Sequence, residues 1–515
     1  MFLVNDGPAS LEVKAERRVT TDGFRRAIFM FAICLALLGA SRAYASEVYP
    51  GCDAPPPPSG PPGARAFYVD PKRGDKANDG SKERPWRTLA EVLDPDNRLI
   101  QTKISPKSQE AGKLPETSGI TPPVKGGDII YLMSGDHGDV FLRRAVSEQF
   151  IQVAAAPGQK PVLSTLRVSG ASHWLLRGLT VRSPKPDAKA GGALVDIRDN
   201  NYHGPVDNII FEENEVLTPD GESWSEEQWA SKPRFGVLAE GRCLTVSRNH
   251  IWYVDGGLGV GGENDLVEDN LIEKFAVDGI DMTASNLILR RNTIRDGRLY
   301  PNNPAHADGI QGWTVGGATN RNVTIDSNTI IKTGDRNKSN MQGISIFDGK
   351  WDGVRIVNNV VVGNHFHGVA LFGVAHALVA NNTVVPSDTA ATWILVRMGK
   401  DKTPSTDVVV RNNVSGSLNV EAQRAEVDHN VAQSSITLDV DGRKSAIKVG
   451  TIDGNRVYSG AFVDLQRLDI KGGVFDLRPT AKSVLFQAGS SKSAPKLDIA
   501  GKTRRDPPDI GAYAH

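Results

Sequence analysis

Cysteine is scarce, with three in 515 residues. Cys34 lies in an N-terminal apolar run whose flanks form no lipoprotein box, which leaves Cys52 and Cys243 for the mature chain. One sits in a proline-rich stretch and the other in a repeat. A chain of this size buries enough core without cross-links, so a disulfide between them is not expected. Aromatics are also few, at 6%, and hydrophobic residues make up only 39%, whereas glycine reaches 52. That balance suits turn-dense β structure better than a helical bundle. An excess of either charge is lacking too, with 60 basic and 60 acidic residues. A nucleic-acid binder would carry a basic footprint, so that class is set aside. The apolar run from Ala27 to Ala40 falls short of the roughly 20 residues a membrane span needs. With Arg25-Arg26 before it and Ala43-Tyr44-Ala45 after it, residues 1–45 read as a signal peptide. A periplasmic or secreted chain with no remaining membrane span is expected.

What is present divides in order. Residues 46–65 include PPPPSGPPG, an extended stretch that reads as a spacer burying nothing. Residues 66–126 open with AFYVDP, a strand, and continue through a polar loop to WRTLAEVL, a short amphipathic helix. An array of repeats needs an atypical first unit to cover its open rung, and this strand and helix would serve. An irregular excursion rich in Pro, Lys and Ser follows. Residues 127–460 are a succession of short strands, and 461–515 close the chain.

The repeat shows in its asparagines: Asn214, Asn249, Asn270, Asn292, Asn328, Asn359, Asn382, Asn413, Asn430 and Asn455, each before a short aliphatic run. Spacings run from 17 to 36 residues. Asn tolerates left-handed backbone and can hydrogen-bond a stacked copy of itself, so one Asn marks one turn per rung. Rungs of that length without helices predict an all-β fold, a parallel β-helix or solenoid with a short N-terminal capping strand and helix. Right-handed is the expected sense of parallel crossovers.

A second phrase recurs as DGIDM, DGIQG, QGISI and HGVAL. It sets Asp278, Asp308, Gln342 and His367 ahead of Gly279, Gly309, Gly343 and Gly368. Stacked strands lie about 4.8 Å apart, so the four polar residues form a column roughly 14 Å long, the footprint of a short sugar chain. Alternation puts Ile280 and Met282 inside, and Asp281, Gln311 and Ser345 outside. It would also turn Asp278 inward unless that residue sits at the bend before its strand. The glycines either bare a groove floor or serve a tight corner. Swollen loops at 217–234, 295–307 and 332–341 emerge beside the column, where sites usually lie.

Asp278 and Asp308 on adjacent rungs raise one another's pKa. Such a pair serves a retaining glycosidase, a Ca²⁺ site that also recruits Asp281, or a lyase that neutralises a uronate carboxylate while a base removes the C5 proton. An Asp ladder that merely caps turns is the structural alternative. His306, His365 and His367 flank the column and suit acid–base work, whereas zinc lacks a third nearby ligand. Lys274, Arg298 and Tyr300 precede the same strands, and a Lys or Tyr base with an Arg partner would fit β-elimination. Trp224, Trp229, Tyr300, Trp313 and Trp351 are candidate sugar platforms, or else pack loops onto the coil.

YVDPKRGDKANDGSKERPWRTLAEVL resembles the opening segment of secreted right-handed parallel β-helix proteins, among them polysaccharide lyases and alginate-type epimerases. LRPTAKSVLFQAGS and DPPDIGAYAH resemble the closing segment of the same group, so the resemblance covers residues 66–515. DGID and HG also resemble strand motifs of polygalacturonase-type glycosidases, which implies an acid or base role for Asp278 and a supporting role for His367. The adjacent Asp-Asp pair of those enzymes is missing. So is the Asp-Pro-His-Asp motif of mannuronan epimerases, whose nearest echo is Pro304-Ala305-His306-Ala307-Asp308. Fold likeness does not settle chemistry.

The expectation is an exported, monomeric lyase on an acidic polysaccharide. Its catalytic candidates are Asp278, Asp308, His306, His367 and Lys274, with His306 or Lys274 as the base. Asp281, Gln311, Gln342, His365, Arg298, Tyr300 and Trp313 would bind substrate, and Asp278, Asp281 and Asp308 would hold Ca²⁺ or the uronate. A glycoside hydrolase or C5-epimerase using the Asp278/Asp308 pair, and a non-catalytic exopolysaccharide-binding envelope protein, are the alternatives.

Overall fold

Short runs in which every second residue is aliphatic, cut by Asn or Gly, cannot fill long helices. They bury their apolar side only by stacking on copies of themselves. The computed structural model describes residues 47–515 except 96–98, 102, 105–115, 118–122, 184–191, 300–305, 333–339, 388–391, 461, 463–464 and 470–473. The signal-peptide expectation lies outside the described residues, as do residues 300–305 and 333–339 of the loops at 295–307 and 332–341.

The strands wind into a coil with three parallel faces. Face A holds Ala193–Arg198, Phe235–Glu240, Leu258–Val260, Ile280–Met282, Ala307–Gly312, Met341–Ile346, His367–Phe372 and Trp393–Arg397. Face B runs in step from Asp207–Glu212 to Val409–Arg411, and face C from Glu215–Leu217 to Thr383–Pro386. The register is continuous. On face A, Leu258, Ile280, Ile310, Ile344, Val369, Ile394 and Leu418 are successive partners. All seven are at most 1% exposed. Face C supplies Ile251, Ile272, Ile294, Ile330, Val361 and Val384 in the same way. Each such side chain contributes about 1.5–3 kcal/mol when buried, and one apolar core runs the length of the coil.

The coil starts earlier than residue 127. Ala66–Val69 pairs in parallel with Ile129–Leu132, so the opening strand is itself the first rung. The expected helix is one turn, Leu89–Val92, capped by the Thr88 side chain, and it buries Leu89 and Val92.

The ten asparagines form an unbroken buried ladder between faces B and C. From Asn249 onward the amide oxygen accepts from the backbone N–H and the side-chain amide of the Asn on the preceding rung, as Asn328 does from Asn292 at 3.0 Å in both bonds, while Asn214 at the start accepts from the Leu179 N–H. The left-handed backbone is not at these asparagines. It is at the residue before each of them: Glu213, Arg248, Asp269, Arg291, Ser327, Asn358, Asn381, Asn412, His429 and Gly454. The ladder Asn is needed for its amide, and the residue before it makes the corner.

That corner column explains the Asn-Asn doublets. Along the early rungs it carries charges that pair across rungs, as Arg248 does with Glu213 and Arg291 with Asp269. At Asn358, Asn381 and Asn412 it instead receives the C-terminal segment. Asn358 bonds Leu497 and Arg504, Asn381 bonds Asp509, and Asn412 bonds Ser490. Residues 485–512 therefore lie along the side of the coil against Val360, Val385 and Val414.

Two expectations are corrected at the N-terminal stretch. Cys52 and Cys243 are joined by a disulfide, with Cα atoms 5.6 Å apart. The proline-rich stretch is a strap fixed to the coil, not a free spacer. The Asp53 carboxylate pairs with His173 and its backbone N–H donates to Asn208 Oδ1, Gln152 donates to the Pro57 carbonyl, and Val48 packs on Phe150, Leu175 and Ile210. Composition alone hid this, because each contact is made by a coil residue more than ninety positions away. Cys52→Ser is expected to free the strap. Limited proteolysis would then cut within residues 48–65, with stability falling by about 2–4 kcal/mol; protection and melting equal to the parent would show that the cross-link does not hold it.

Candidate functional site

The recurring phrase lies where face C turns into face A. The glycines are corner residues whose missing side chains point into the core: a Cβ on Gly279 would stand 2.4 Å from Ile294, on Gly309 2.5 Å from Ile330, and on Gly368 2.2 Å from Val384. The corner reading of these glycines therefore holds, and they do not floor a groove. The same bend resolves the orientation of Asp278, which precedes the strand Ile280–Met282 and comes round to the side of Asp281. Positions three apart now share a side, so Asp278 hydrogen-bonds Asp281 and the Ser345 hydroxyl reaches the Gln342 amide oxygen at 3.4 Å.

Column and register agree. Asp308 is opposite Gln342, and Asp281, Gln311 and Ser345 are successive partners. Asp278 Oδ1 accepts from the Asp308 amide at 2.7 Å, Asp308 Oδ2 binds His306 Nδ1 at 2.8 Å, and Gln342 Oε1 meets His367 Nδ1 at 2.7 Å. Asp308 is completely buried while the His306 side chain is 53% exposed. A buried carboxylate thus fixes one nitrogen of an imidazole that stands out in solvent. At His367 a register shift interrupts the strand pairing and re-aims a side chain that strict alternation would bury.

The electrostatics follow from crowding three acids. Burial, and then the charges of Asp281 and Asp308, push Asp278 well above the usual carboxylate range. Burial takes Asp281 up to about 7. Asp308 is also raised by burial, against the hydrogen bonds from His306 and Ser345. The Asp308 carboxylate raises His306 in turn. Burial, reinforced by the neighbouring imidazoles, drives His365 and His367 down to about 4, so both are neutral at physiological pH.

The folded chain therefore holds protons at Asp281 that the unfolded chain releases. That stabilisation is full below the ordinary value of 3.8 and is lost as pH rises through about 7. Between pH 5.5 and 8.5 the parent is expected to lose about 2 kcal/mol, at about 1.4 kcal/mol per pH unit up to the folded value of about 7. Asp281→Asn should flatten the profile, and a parent melting temperature that does not fall over this range contradicts the protonated cluster.

Not every sequence candidate joins the column. Lys274 is engaged by Glu222 at 2.8 Å and by the Tyr253 hydroxyl at 3.1 Å. Burial lowers its pKa, but these partners raise it further, which disfavours a base role. Arg298 stacks over Trp229, 5.1 Å from the ring centroid. Trp224 and Trp229 are buried against Ala276 and each other, and Trp351 is in the core, so these three pack the fold rather than offering sugar platforms. Trp313 is half-buried just past the strand Ala307–Gly312, and Tyr300 lies outside the described residues. Among the described residues no group of three His, Cys, Asp or Glu side chains is arranged to hold a metal ion.

Several neighbours escaped sequence reasoning. Phe347 lies 5.0 Å from His367 and 4.8 Å from Phe372, and Phe366 lies 4.4 Å from His367 and 4.8 Å from Trp393. Lys400 stands 5.9 Å from the Phe347 ring. His367 and Phe372 begin and end one strand, yet their rings are 6.5 Å apart, so both lean over the small Ala370 between them. A Phe directly after the last aliphatic residue, in SIFDG and ALFG, was the available signal.

A family model described as a right-handed beta helix region matches residues 235–384. Among solved structures the chain is similar to XylC in complex with xylose, at 8% identity and a TM-score of 0.52, over 87% of this chain and 98% of that one. This is a right-handed parallel β-helix. The pectate lyase Pel9A shares 15% identity at a TM-score of 0.45, over 92% of this β-helix and 99% of the lyase. The A-module of the mannuronan C-5 epimerase AlgE6 from Azotobacter vinelandii shares 13% at 0.41, over 62% and 90%. No curated protein sequence matches the chain. No helix among the described residues is long and apolar enough to cross a membrane.

Proposed function

We propose that this β-helix is an exported enzyme that cleaves an acidic polysaccharide by β-elimination. The observation that carries the reading is the His306–Asp308 pair at 2.8 Å, with its carboxylate buried and its imidazole exposed. Asp308 holds Nδ1, which leaves Nε2 to take the C5 proton of a uronate. The electron pair forms the C4–C5 double bond, the C4–O bond breaks, and the departing oxygen takes a proton. Asp281, one rung away and titrating at about 7, is the group suited to supply it. Lys400 beside this wall is already paired with Asp348 at 2.9 Å, and neutral His365 and His367 with Phe366 and Trp393 offer a ring-lined wall for the sugar. The Cys52–Cys243 disulfide supports an oxidising compartment outside the cytoplasm.

Asp278 spends one oxygen on the Asp308 amide and is hydrogen-bonded to Asp281, which suits positioning better than a glycosidase nucleophile. A C5-epimerase shares the proton abstraction but returns a proton to the opposite face of C5 and leaves the C4–O bond intact. Asp278, Asp281 and Asp308 are not arranged together as a metal site, and no step is routed through Ca²⁺. The test is a panel of alginate, polygalacturonate and neutral glucans, with and without a chelator. Ultraviolet-absorbing unsaturated ends from a uronate polymer support elimination. Reducing ends without unsaturation favour hydrolysis, and retention on an affinity gel without turnover favours a binding protein.

A further inference from the structure

Two arginines on face A share an arrangement that the proposed chemistry does not use. Arg167 is exposed between fully buried Leu166 and Val168, so it projects outward, and its guanidinium stands 4.3 Å above the Phe141 ring. Arg397, exposed at the end of Trp393–Arg397, stands 5.4 Å from the Phe372 ring. Among the described residues neither has a carboxylate partner. Asp196, next to Arg167 on the following rung, gives both oxygens to Arg198 instead.

Register fixes where they stand. The outward positions Arg167, Asp196, Leu238, Gly259 and Asp281 are successive partners. From Asp281 the same column continues through Gln311, Ser345 and Ala370 to Leu395, two residues before Arg397. Each arginine is therefore four strand spacings, roughly 19 Å, from the acid cluster, one on each side. Between them the column carries Leu238, Gly259 and Gln311, then Ser345 and Ala370, which are buried, with the His367 and Phe372 rings over Ala370, so a chain on this face would lie across those rings. A guanidinium backed by an aromatic ring and free of acid partners is set to take a carboxylate in its plane.

We infer that Arg167 with Phe141 and Arg397 with Phe372 are end anchors for a polyuronate chain lying along face A, so that the site takes long polyanions in preference to short ones. The inference rests on the polysaccharide reading above, and deepens it by naming length and charge as the selected features. Arg143 adds a second cation at the Arg167 end, 5.4 Å from the same ring.

The test uses the full chain with Arg167→Ala, Arg397→Ala and Phe141→Leu. Binding is read by retardation in gels holding alginate, polygalacturonate or neutral dextran, and KM is read on polymer and on trisaccharide. Each arginine variant should lose about tenfold in affinity for a uronate polymer, with a flatter salt dependence and a much smaller loss on the trisaccharide. Retardation and KM within about twofold of the parent on polymer overturn the anchors. The two readings fail separately. Arg167-dependent retardation without turnover keeps the track and removes the enzyme, turnover without an arginine effect does the reverse, and no retardation by either polyuronate removes the track.

Discussion

Asp308→Asn is expected to lower turnover on a uronate polymer by about 10²–10⁴-fold, the range ascribed to a positioned acid–base group. His306→Ala should match it, and the double variant should lose little more, because the two side chains act as one unit. The pH profile separates this from a structural defect. In the parent, His306 must be neutral to accept a proton, so activity rises as pH rises through a value above the ordinary 6.5. Replacing the carboxylate removes what raises that value, so the residual activity of Asp308→Asn should reach its plateau at lower pH. The fold should not suffer at alkaline pH, since the substitution removes an acid whose ionised form burial disfavours. Equal losses at every pH, together with a lower melting temperature, would assign Asp308 to the scaffold.

The largest effect on stability is expected at the asparagine ladder. Asn328→Ala removes the acceptor for both the backbone N–H and the side-chain amide of Asn292, and the donor to the Leu289 carbonyl at 2.9 Å. Asn328 is fully buried, so no water replaces those partners. Each orphaned group costs about 1–3 kcal/mol, so a loss of about 3–5 kcal/mol is expected. By contrast, Ser327→Gly at the neighbouring left-handed corner should be nearly neutral, because glycine takes that backbone without strain. Chemical denaturation of the two variants checks the contrast. Equal destabilisation by both would mean that the corner backbone, and not the amide ladder, fixes the rungs.

The coil was legible because its two markers, Asn and the Gly-aliphatic phrase, each recur once per rung and must align when strands stack. Asp308, Gln342 and His367 were legible for the same reason. Of the partners that complete the site, Phe347 and Phe372 each stand five residues after the first residue of the phrase and were within reach of the pattern, whereas Phe366, Trp393 and Lys400 meet across rungs without a shared spacing. The strap was hidden for a related reason. Its contacts, including Cys52 with Cys243, join positions whose separation follows no repeat. Tryptophan misled in the opposite direction. The capping box of Ser225 and Gln228 starts a short helix, Glu226–Ser231, that carries Trp229 into contact with Trp224, so a loop rich in tryptophan packs on itself.

The measurement closest to the central claim is the fate of the glycosidic bond when a uronate polymer is cleaved in water enriched in oxygen-18. Proton removal at C5 by His306 predicts products with an unsaturated end and no label at the new reducing carbon, since the bridging oxygen stays with its original sugar. Labelled reducing ends without unsaturation would contradict that chemistry.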